Sequence, residues 1–275
     1  MLNFNIELFW IYKNYRIDSI IFLRKKFRSN EKEFKEMILK KYKKQFEYSY
    51  TFGVFATIEL INTRPDKVIA IVVKSSYIEK DNGINLYELC RSKNIDIKVN
   101  DDIFSRITDK ENYYVIGIFK KYSLDLDRNK SHIVLVNPSN MGNMGTIIRT
   151  MVGFGMDNLA IISPGVDVFD PKVIRASMGA LFKISFSYYG DFNTYIEDFI
   201  HHNIYTFMID GENSIKNIAA DEDKLYSLVF GNEATGLDDK FLNIGTSIAI
   251  AHSDEIDSLN LSIAVGIASY EFFKN

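Results

Sequence analysis

The chain predicts an α/β fold built on a mostly parallel sheet with helices on both faces. Three observations predict it. Short apolar runs recur, each long enough for one buried strand, as at Val68–Val73 and Ile133–Val136. Segments with helical apolar spacing separate these runs, as at Ile147, Ile148, Met151, Val152 and Phe154. The joins between them are polar and rich in Gly, Asn and Ser. Such alternation reads as parallel strands connected through helices.

The elements divide into three zones. Residues 1–45 read as a basic helical arm. Arg24 to Lys44 holds ten Lys/Arg against three Glu, and a net charge of −3 for the chain leaves the remainder clearly acidic. Phe27, Phe34, Ile38 and Tyr42 interleave those charges at near-helical spacing. Two readings stand side by side. One is a basic helix that meets RNA phosphates; the other is a solvated amphipathic helix with its apolar stripe on the core.

Residues 46–125 read as a small α/β unit. Strands are expected at Val68–Val73, Ile95–Val99 and Tyr113–Phe119, with helices at Leu86–Ser92 and Asp101–Ile107. The polar run Leu124–Lys130 then reads as a linker.

Residues 131–275 alternate again. Strands are expected at Ile133–Val136, Leu159–Ile162, Ile184–Ser187, Tyr205–Ile209, Leu228–Phe230 and Ser247–Ile250. Helices are expected around Thr146–Gly153, Pro171–Leu181, Phe192–His201, Asp239–Asn243 and Leu259–Phe273. Ligands of open parallel sheets bind outside the C-terminal strand ends.

Composition narrows the class of function. An apolar fraction of 47% in 275 residues supports a folded core. Cys90 stands alone, so no disulfide framework forms, and a reducing, cytoplasmic setting is expected. No Cys/His spacing suggests a zinc site, and no metal is expected. Met1 to Lys13 lacks the basic start and small-residue cleavage site of a signal peptide. No apolar run reaches the roughly 20 residues that span a bilayer.

Chemistry concentrates in three polar loops that follow expected strands: Asn137–Gly145, Gly231–Gly236 and His252–Asn260. If the strands are parallel, the loops share one sheet edge. None matches a phosphate-binding loop, because no Gly-Lys-Ser/Thr follows. Each also has a structural reading. Gly142 and Gly145 permit a tight turn, Asn143 caps a helix, Glu233 faces a helix dipole, and Ser258 caps the final helix. Arg149, among Ile147, Ile148, Thr150 and Met151, is costly to bury without an anionic or hydrogen-bonding partner.

Taken together, Asn143-x5-Arg149, Phe230-Gly231-Asn232-Glu233-x2-Gly236-Leu237 and Ser258-Leu259-Asn260-Leu261-Ser262 resemble the three signature motifs of the SpoU (TrmH-type) RNA 2′-O-ribose methyltransferases, of the SPOUT class. The segment Asp170–Phe182 resembles that family's intermotif helix. Residues 131–275 carry the strong resemblance. Residues 46–125 are more weakly similar to the ribosomal-protein-like RNA-binding domain that often precedes it.

The resemblance implies a trefoil-knotted C-terminal domain, a homodimer whose active site draws on both subunits, and an RNA substrate, with 23S rRNA favoured over tRNA by the two-domain layout. A non-catalytic RNA-binding protein on the same fold is the rival. The implied cofactor is S-adenosylmethionine. Arg149 is implied to activate the ribose hydroxyl. A guanidinium stays protonated, so the physical preference is for stabilising a developing alkoxide rather than acting as a base. Asn143 would position Arg149 or the ribose, Glu233 would orient Arg149 or hold substrate, and Ser258 and Asn260 would organise the same site. Phe230, Gly231, Asn232, Gly236, Ile250, His252 and Leu259 are implied cofactor contacts. Arg175, in the intermotif helix, looks like an RNA-phosphate contact, with a surface ion pair as the alternative; Lys25, Lys26 and Arg28 are RNA-contact candidates on charge alone. One departure is Ile250-Ala251-His252, where the family often has Ile-Pro-Met.

Overall fold

The computed structural model describes residues 39–78, 86–218 and 224–273. Lys25, Lys26, Arg28 and the body of the expected basic arm lie outside the described residues. Its described end, 39–45, carries no helix, so the expected helix does not reach residue 45. The chain divides into two compact units, Phe52–Lys120 and Lys121–Asn275, the latter grouped with Lys43–Thr51.

A four-stranded sheet has the order β1 (Tyr48–Phe52), β4 (Val115–Lys120), β2 (Val68–Val73) and β3 (Ile97–Val99), the last three within the N-terminal unit. Strand β2 is apolar at all six positions and buried at all six, as expected for a central strand covered on both faces. It pairs in parallel with β3 and antiparallel with β4. Helices α1 (Val54–Thr63), α2 (Ser75–Ile78), α3 (Leu86–Ser92) and α4 (Asp101–Ile107) connect the strands. Asn100 caps α4, its side chain accepting the Ile103 N–H at 3.2 Å. Strand β1 and helix α1 were not expected from the sequence. Tyr48–Phe52 has no run of aliphatic residues, and Gly53, at φ 90°, joins strand to helix without a polar cap.

The C-terminal unit carries a seven-stranded sheet. Its strands are β5 (His132–Val136), β6 (Asn158–Ile162), β7 (Ser185–Tyr189), β8 (Asn203–Phe207), β9 (Asn213–Ser214), β10 (Tyr226–Phe230) and β11 (Thr246–Ala249), in the order β7-β6-β5-β10-β8-β11-β9. Every neighbouring pair is parallel. The crossover that places β10 between β5 and β8 sets residues 231–237 beside residues 137–143.

Alternate strand residues feed two cores. On one face Val134, Ala160, Ile162 and Val229 pack with Phe192, Tyr195 and Phe199, from α7 (Phe192–Asp198) and its end, and with Phe241. On the other face lie α5 (Met141–Gly153), α6 (Pro171–Ala176) and α8 (Leu261–Phe273), with α5 packed against both others. The α5 stripe Met144, Ile147, Ile148 and Met151 is buried, the spacing of a helix with one face on a core.

Two expected helices are corrected. Helix α5 begins at Met141 rather than Thr146, because Asn140 caps it and its glycines lie inside the helix. The expected helix Pro171–Leu181 is broken. Asp170 caps it and Pro171 starts it, but Met178 and Gly179 adopt φ 53° and 83°, and a short 3₁₀ turn, Ala180–Lys183, follows.

Candidate active site

Because all seven strands run the same way, the loops after β5, β8, β10 and β11 gather at one edge of the sheet. The expected clustering of the three polar loops is therefore observed.

At the first loop, Asn140 rather than Asn143 caps α5. Its Oδ1 accepts the N–H groups of Gly142 at 2.8 Å and Asn143 at 3.0 Å. Asn143 is thereby free to use its side chain elsewhere. Gly145 is no turn residue. An added Cβ would meet Ala176 Cβ, the Val173 carbonyl at 2.7 Å and the Ser177 nitrogen at 2.9 Å. The missing side chain lets α5 approach α6.

At the second loop, Asn232 and Gly236 exchange backbone hydrogen bonds, and Gly236 sits at φ 66°. A Cβ on Gly231 would collide with the backbone of Gly236 and Leu237. Both glycines therefore serve the loop's own closure. Asn232 Nδ2 donates to the Asn137 carbonyl at 2.6 Å, tying this loop to the first.

Glu233 is half-buried, and its carboxylate reaches the start of α5. Oε2 accepts from the Ser139 N–H at 3.0 Å and hydroxyl at 2.9 Å; Oε1 accepts from the Asn140 N–H at 3.0 Å and Asn143 Nδ2 at 3.3 Å. Burial pushes the Glu233 carboxyl up. The hydrogen bonds from Ser139 and Asn140 outweigh it and hold the group below its usual range.

At the third loop, Asn260 and not Ser258 caps the final helix. Its Oδ1 accepts from the Ser262 N–H at 2.9 Å and hydroxyl at 2.7 Å, while its Nδ2 donates to Asn143 Oδ1 at 3.2 Å. Asn143 thus links Glu233 and Asn260, one residue from each of the three loops. Ser258 is exposed at the same edge.

A cleft of about 560 Å³ opens between the second and third loops and the segment after β8. Phe230, Gly231, Asn232, Glu233, Gly236, Ile250, His252, Ser258, Leu259 and Asn260 all line it. His252 is held through Nδ1, 3.0 Å from the Ile250 carbonyl. The expectation missed Phe207, Met208 and Asp210, which the short crossover after β8 brings to the wall. It also missed Ser139 and Asn140, whose only sequence signal is a polar pair before a helix.

The lining includes the carboxylates of Asp210, Glu233, Asp239 and Asp257 and no Lys or Arg. Its size suits a nucleoside-sized ligand, and its charge suits a cation. S-adenosylmethionine, with a sulfonium, an ammonium, an adenine and apolar stretches, fits that set of walls.

Arg149 is exposed on α5 and absent from the cleft lining. No hydrogen bond or ion pair holds it among the described residues. It is not buried, so no desolvation cost demands a partner, and it hydrogen-bonds neither Asn143 nor Glu233. Arg175 sits exposed in the last turn of α6. Among the described residues no three His, Cys, Asp or Glu are grouped to hold a metal ion, and no helix is long and apolar enough to cross a membrane.

Known proteins are similar to this chain. The SpoU rRNA Methylase family model matches residues 130–270. A 23S rRNA (adenosine(1067)-2'-O)-methyltransferase of Streptomyces azureus is 26% identical over 197 residues, covering 68% of this chain and 72% of that protein. The tRNA (cytidine/uridine-2'-O-)-methyltransferase TrmJ of Klebsiella pneumoniae is 30% identical over 157 residues, 50% of this chain and 61% of that protein, so under two thirds of its length is spanned. The AdoMet-bound SpoU methyltransferase AviRb of Streptomyces viridochromogenes shares the fold at a TM-score of 0.70 and 20% identity, over 83% of this chain and 90% of that one. The AdoMet-bound rRNA methyltransferase of Sinorhizobium meliloti does so at a TM-score of 0.69 and 21% identity, over 91% and 93%.

Proposed function

The chain belongs to the SpoU rRNA methylase family, and from that premise we propose that it methylates a ribose 2′-hydroxyl of RNA with S-adenosylmethionine as donor. The observation that carries the reading is the linkage Glu233–Asn143–Asn260 beside a cation-suited cleft. For the substrate we take 23S rRNA. The match to the Streptomyces azureus enzyme, over 197 residues, is longer than the methylase segment alone. A tRNA is the second reading, supported by the likeness to TrmJ over half the chain.

Phe230, Ile250 and Leu259 supply the apolar walls for the cofactor, and the backbone of the second and third loops supplies polar contacts to its base. The cofactor, when bound, supplies an electrophilic methyl group. The residues of the chain then have two tasks: to hold the ribose oxygen in line with that methyl, and to stabilise the charge that grows on the oxygen. Arg149 is the proposed stabiliser, a permanent cation on the rigid helix α5. Asn143 and Asn260 fix the geometry at the start of that helix and of α8. Ser258 lies at the cleft mouth, where its hydroxyl can meet the ribose. Glu233 accepts four hydrogen bonds from Ser139, Asn140 and Asn143, so its capacity as an acceptor is taken up within the protein and it acts as an organiser.

Arg149 does not line the cleft of its own chain. We therefore assign it to the cleft of a second copy. Helix α8 is apolar all round, and its outer side leaves Ile263, Tyr270 and Phe273 exposed by 53%, 46% and 59%. A homodimer through α8 covers that face. Arg175 and the basic segment with Lys25, Lys26 and Arg28 contact RNA phosphates, and the cytoplasm is the compartment proposed. The deciding experiment is ribose-methylation mapping of total RNA from cells with and without the protein, joined to calorimetry with S-adenosylmethionine. One lost methylation with retained cofactor binding supports the reading. A folded protein that binds no cofactor overturns it in favour of a non-catalytic RNA-binding role.

A further inference from the structure

Ser139 precedes α5 and lies outside the three signature motifs. It nonetheless makes two of the four hydrogen bonds to Glu233, through its N–H and its hydroxyl, both to the same oxygen. Asn140, which caps α5, gives a third. Hydrogen bonds to a carboxylate are stronger than neutral ones, and a negative charge at a helix start is favoured by the helix dipole. Glu233 itself stands in a loop that is closed on itself by the Asn232–Gly236 pair and forms a wall of the cleft. One carboxylate therefore joins the cleft wall to the first turn of the helix that bears Arg149. The other tether from this loop, Asn232 to the Asn137 carbonyl, stops short of the helix.

We propose that Ser139 is a positioning residue that locks Glu233 onto the start of α5, so that filling the cleft stiffens the helix carrying Arg149. The inference rests on the methyltransferase reading. It adds a link between the two sites of the dimer: cofactor in one cleft prepares the α5 whose Arg149 serves the other. The coupling is a stiffening of a helix already formed, and needs no rearrangement of the fold.

Hydrogen exchange on the full chain, with S-adenosylhomocysteine as the probe, tests it. In the wild-type protein the probe should slow exchange severalfold at residues 231–237 and also at 142–149. In Ser139→Ala the first effect should remain and the second should shrink. Ser139→Thr, which keeps the hydroxyl, should restore it, and Glu233→Ala, which leaves only the Asn260–Asn143 link, should shrink it further. A loss of helix stability alone would raise exchange at 142–149 with and without the probe and leave the ratio unchanged, which would overturn the proposal. So would equal probe effects in wild type and Ser139→Ala, or no effect at 142–149 in the wild type. If the folded wild type does not bind the probe at all, the methyltransferase reading itself fails and takes the proposal with it. That outcome differs from binding without coupling.

Discussion

Asn260 donates its side-chain amide to the Asn143 side-chain oxygen at 3.2 Å across 117 residues of sequence. Each of the two is engaged a second time. Asn260 caps α8, and Asn143 donates to Glu233. The starts of two helices and one cleft loop are therefore held by a short run of side-chain amides. Amides suit this task because each offers a donor and an acceptor, and neither changes charge with pH.

That linkage predicts energetic coupling. Asn143→Ala and Asn260→Ala should each destabilise the protein, and the double variant should lose less than the sum. The non-additivity should be about 0.5–1 kcal/mol, the size of a partly exposed hydrogen bond. Urea unfolding of the four proteins in a cycle measures it. Strict additivity would mean that the two amides do not interact in solution.

Arg149 presents the opposite case. It is exposed and no hydrogen bond or ion pair holds it among the described residues, so Arg149→Ala should leave stability within about 0.5 kcal/mol of the wild type. Methyl transfer should nevertheless fall to background while cofactor binding survives. Arg149→Lys should not restore it, because an ammonium lacks the planar fork of donors. Tritiated methyl transfer and thermal melting together give the answer. A large loss of stability would make Arg149 structural.

The sequence showed the strands plainly because a central strand buried on both faces must be apolar throughout, as Val68–Val73 and Ile133–Val136 are. It showed the loop cluster for a related reason, since parallel strands put every following loop on one edge. What it did not show depends on tertiary neighbours. Nothing local distinguishes Asn140 from Asn143 as the cap of α5, and the choice follows from Glu233 and Asn260 claiming Asn143. Ser139 gave no signal because its partner lies 94 residues away. Arg149 looked buried because its sequence neighbours are apolar, yet it falls on the exposed side of the helix.

Gly145 was misread in the same way, and its role can be tested. In an exposed helix, Gly→Ala gains about 1 kcal/mol from helix propensity. Here the new methyl would press on the Val173 carbonyl and the Ser177 nitrogen at 2.7 and 2.9 Å, as well as on Ala176. Backbone atoms cannot rotate away, so overpacking wins. Gly145→Ala should destabilise by about 1–3 kcal/mol, seen in urea unfolding. A stabilised variant would show that α5 and α6 can separate at little cost.

A buried histidine pair at the opposite end of the strands sets the acid limit of stability. His132 Nε2 lies 3.0 Å from the Asp127 carbonyl and donates to it, and its Nδ1 lies 2.8 Å from the Tyr195 hydroxyl. Ser227 continues the chain, 2.7 Å from Tyr195 and 2.9 Å from His202 Nδ1. Burial keeps both rings neutral at neutral pH. Burial pushes His132 down, against the pull of the Asp127 carbonyl and the Asp127 and Asp157 charges; His201 adds to the depression. Burial, with His132 and His201 nearby, pushes His202 down to about 4.

The unfolded chain binds protons on these rings near pH 6.5 and the folded one does not. Their stabilisation is therefore complete above that pH and is lost as pH falls toward about 4 for His202. The slope should approach ~1.4 kcal/mol per pH unit for His202, with His132 adding in the same direction. His202→Gln should flatten that limb, whatever its effect at neutral pH. Glu233 contributes lower down, because its depressed carboxyl loses its bonds only when protonated. Denaturant titrations from about pH 2 to 7 separate the two, and an unchanged slope in His202→Gln would show that His202 titrates normally.

The last prediction concerns where Arg149 works. It does not line the cleft of its own chain, and α5 packs against α8, whose outer apolar residues call for a cover. If a second copy provides that cover, each cleft receives its arginine from the other subunit. Mixing Arg149→Ala with a variant whose cleft is filled by a bulky side chain, such as Ile250→Trp, should then create sites that neither parent has. One cleft of each mixed dimer is intact and faces an intact Arg149. Random exchange makes half the dimers mixed, with one complete site of two, so activity should return to roughly a quarter of the wild-type rate. Sedimentation must first show that both variants dimerise. If they do and the mixture stays inactive, Arg149 serves its own chain, and α5 must shift toward that cleft on binding RNA.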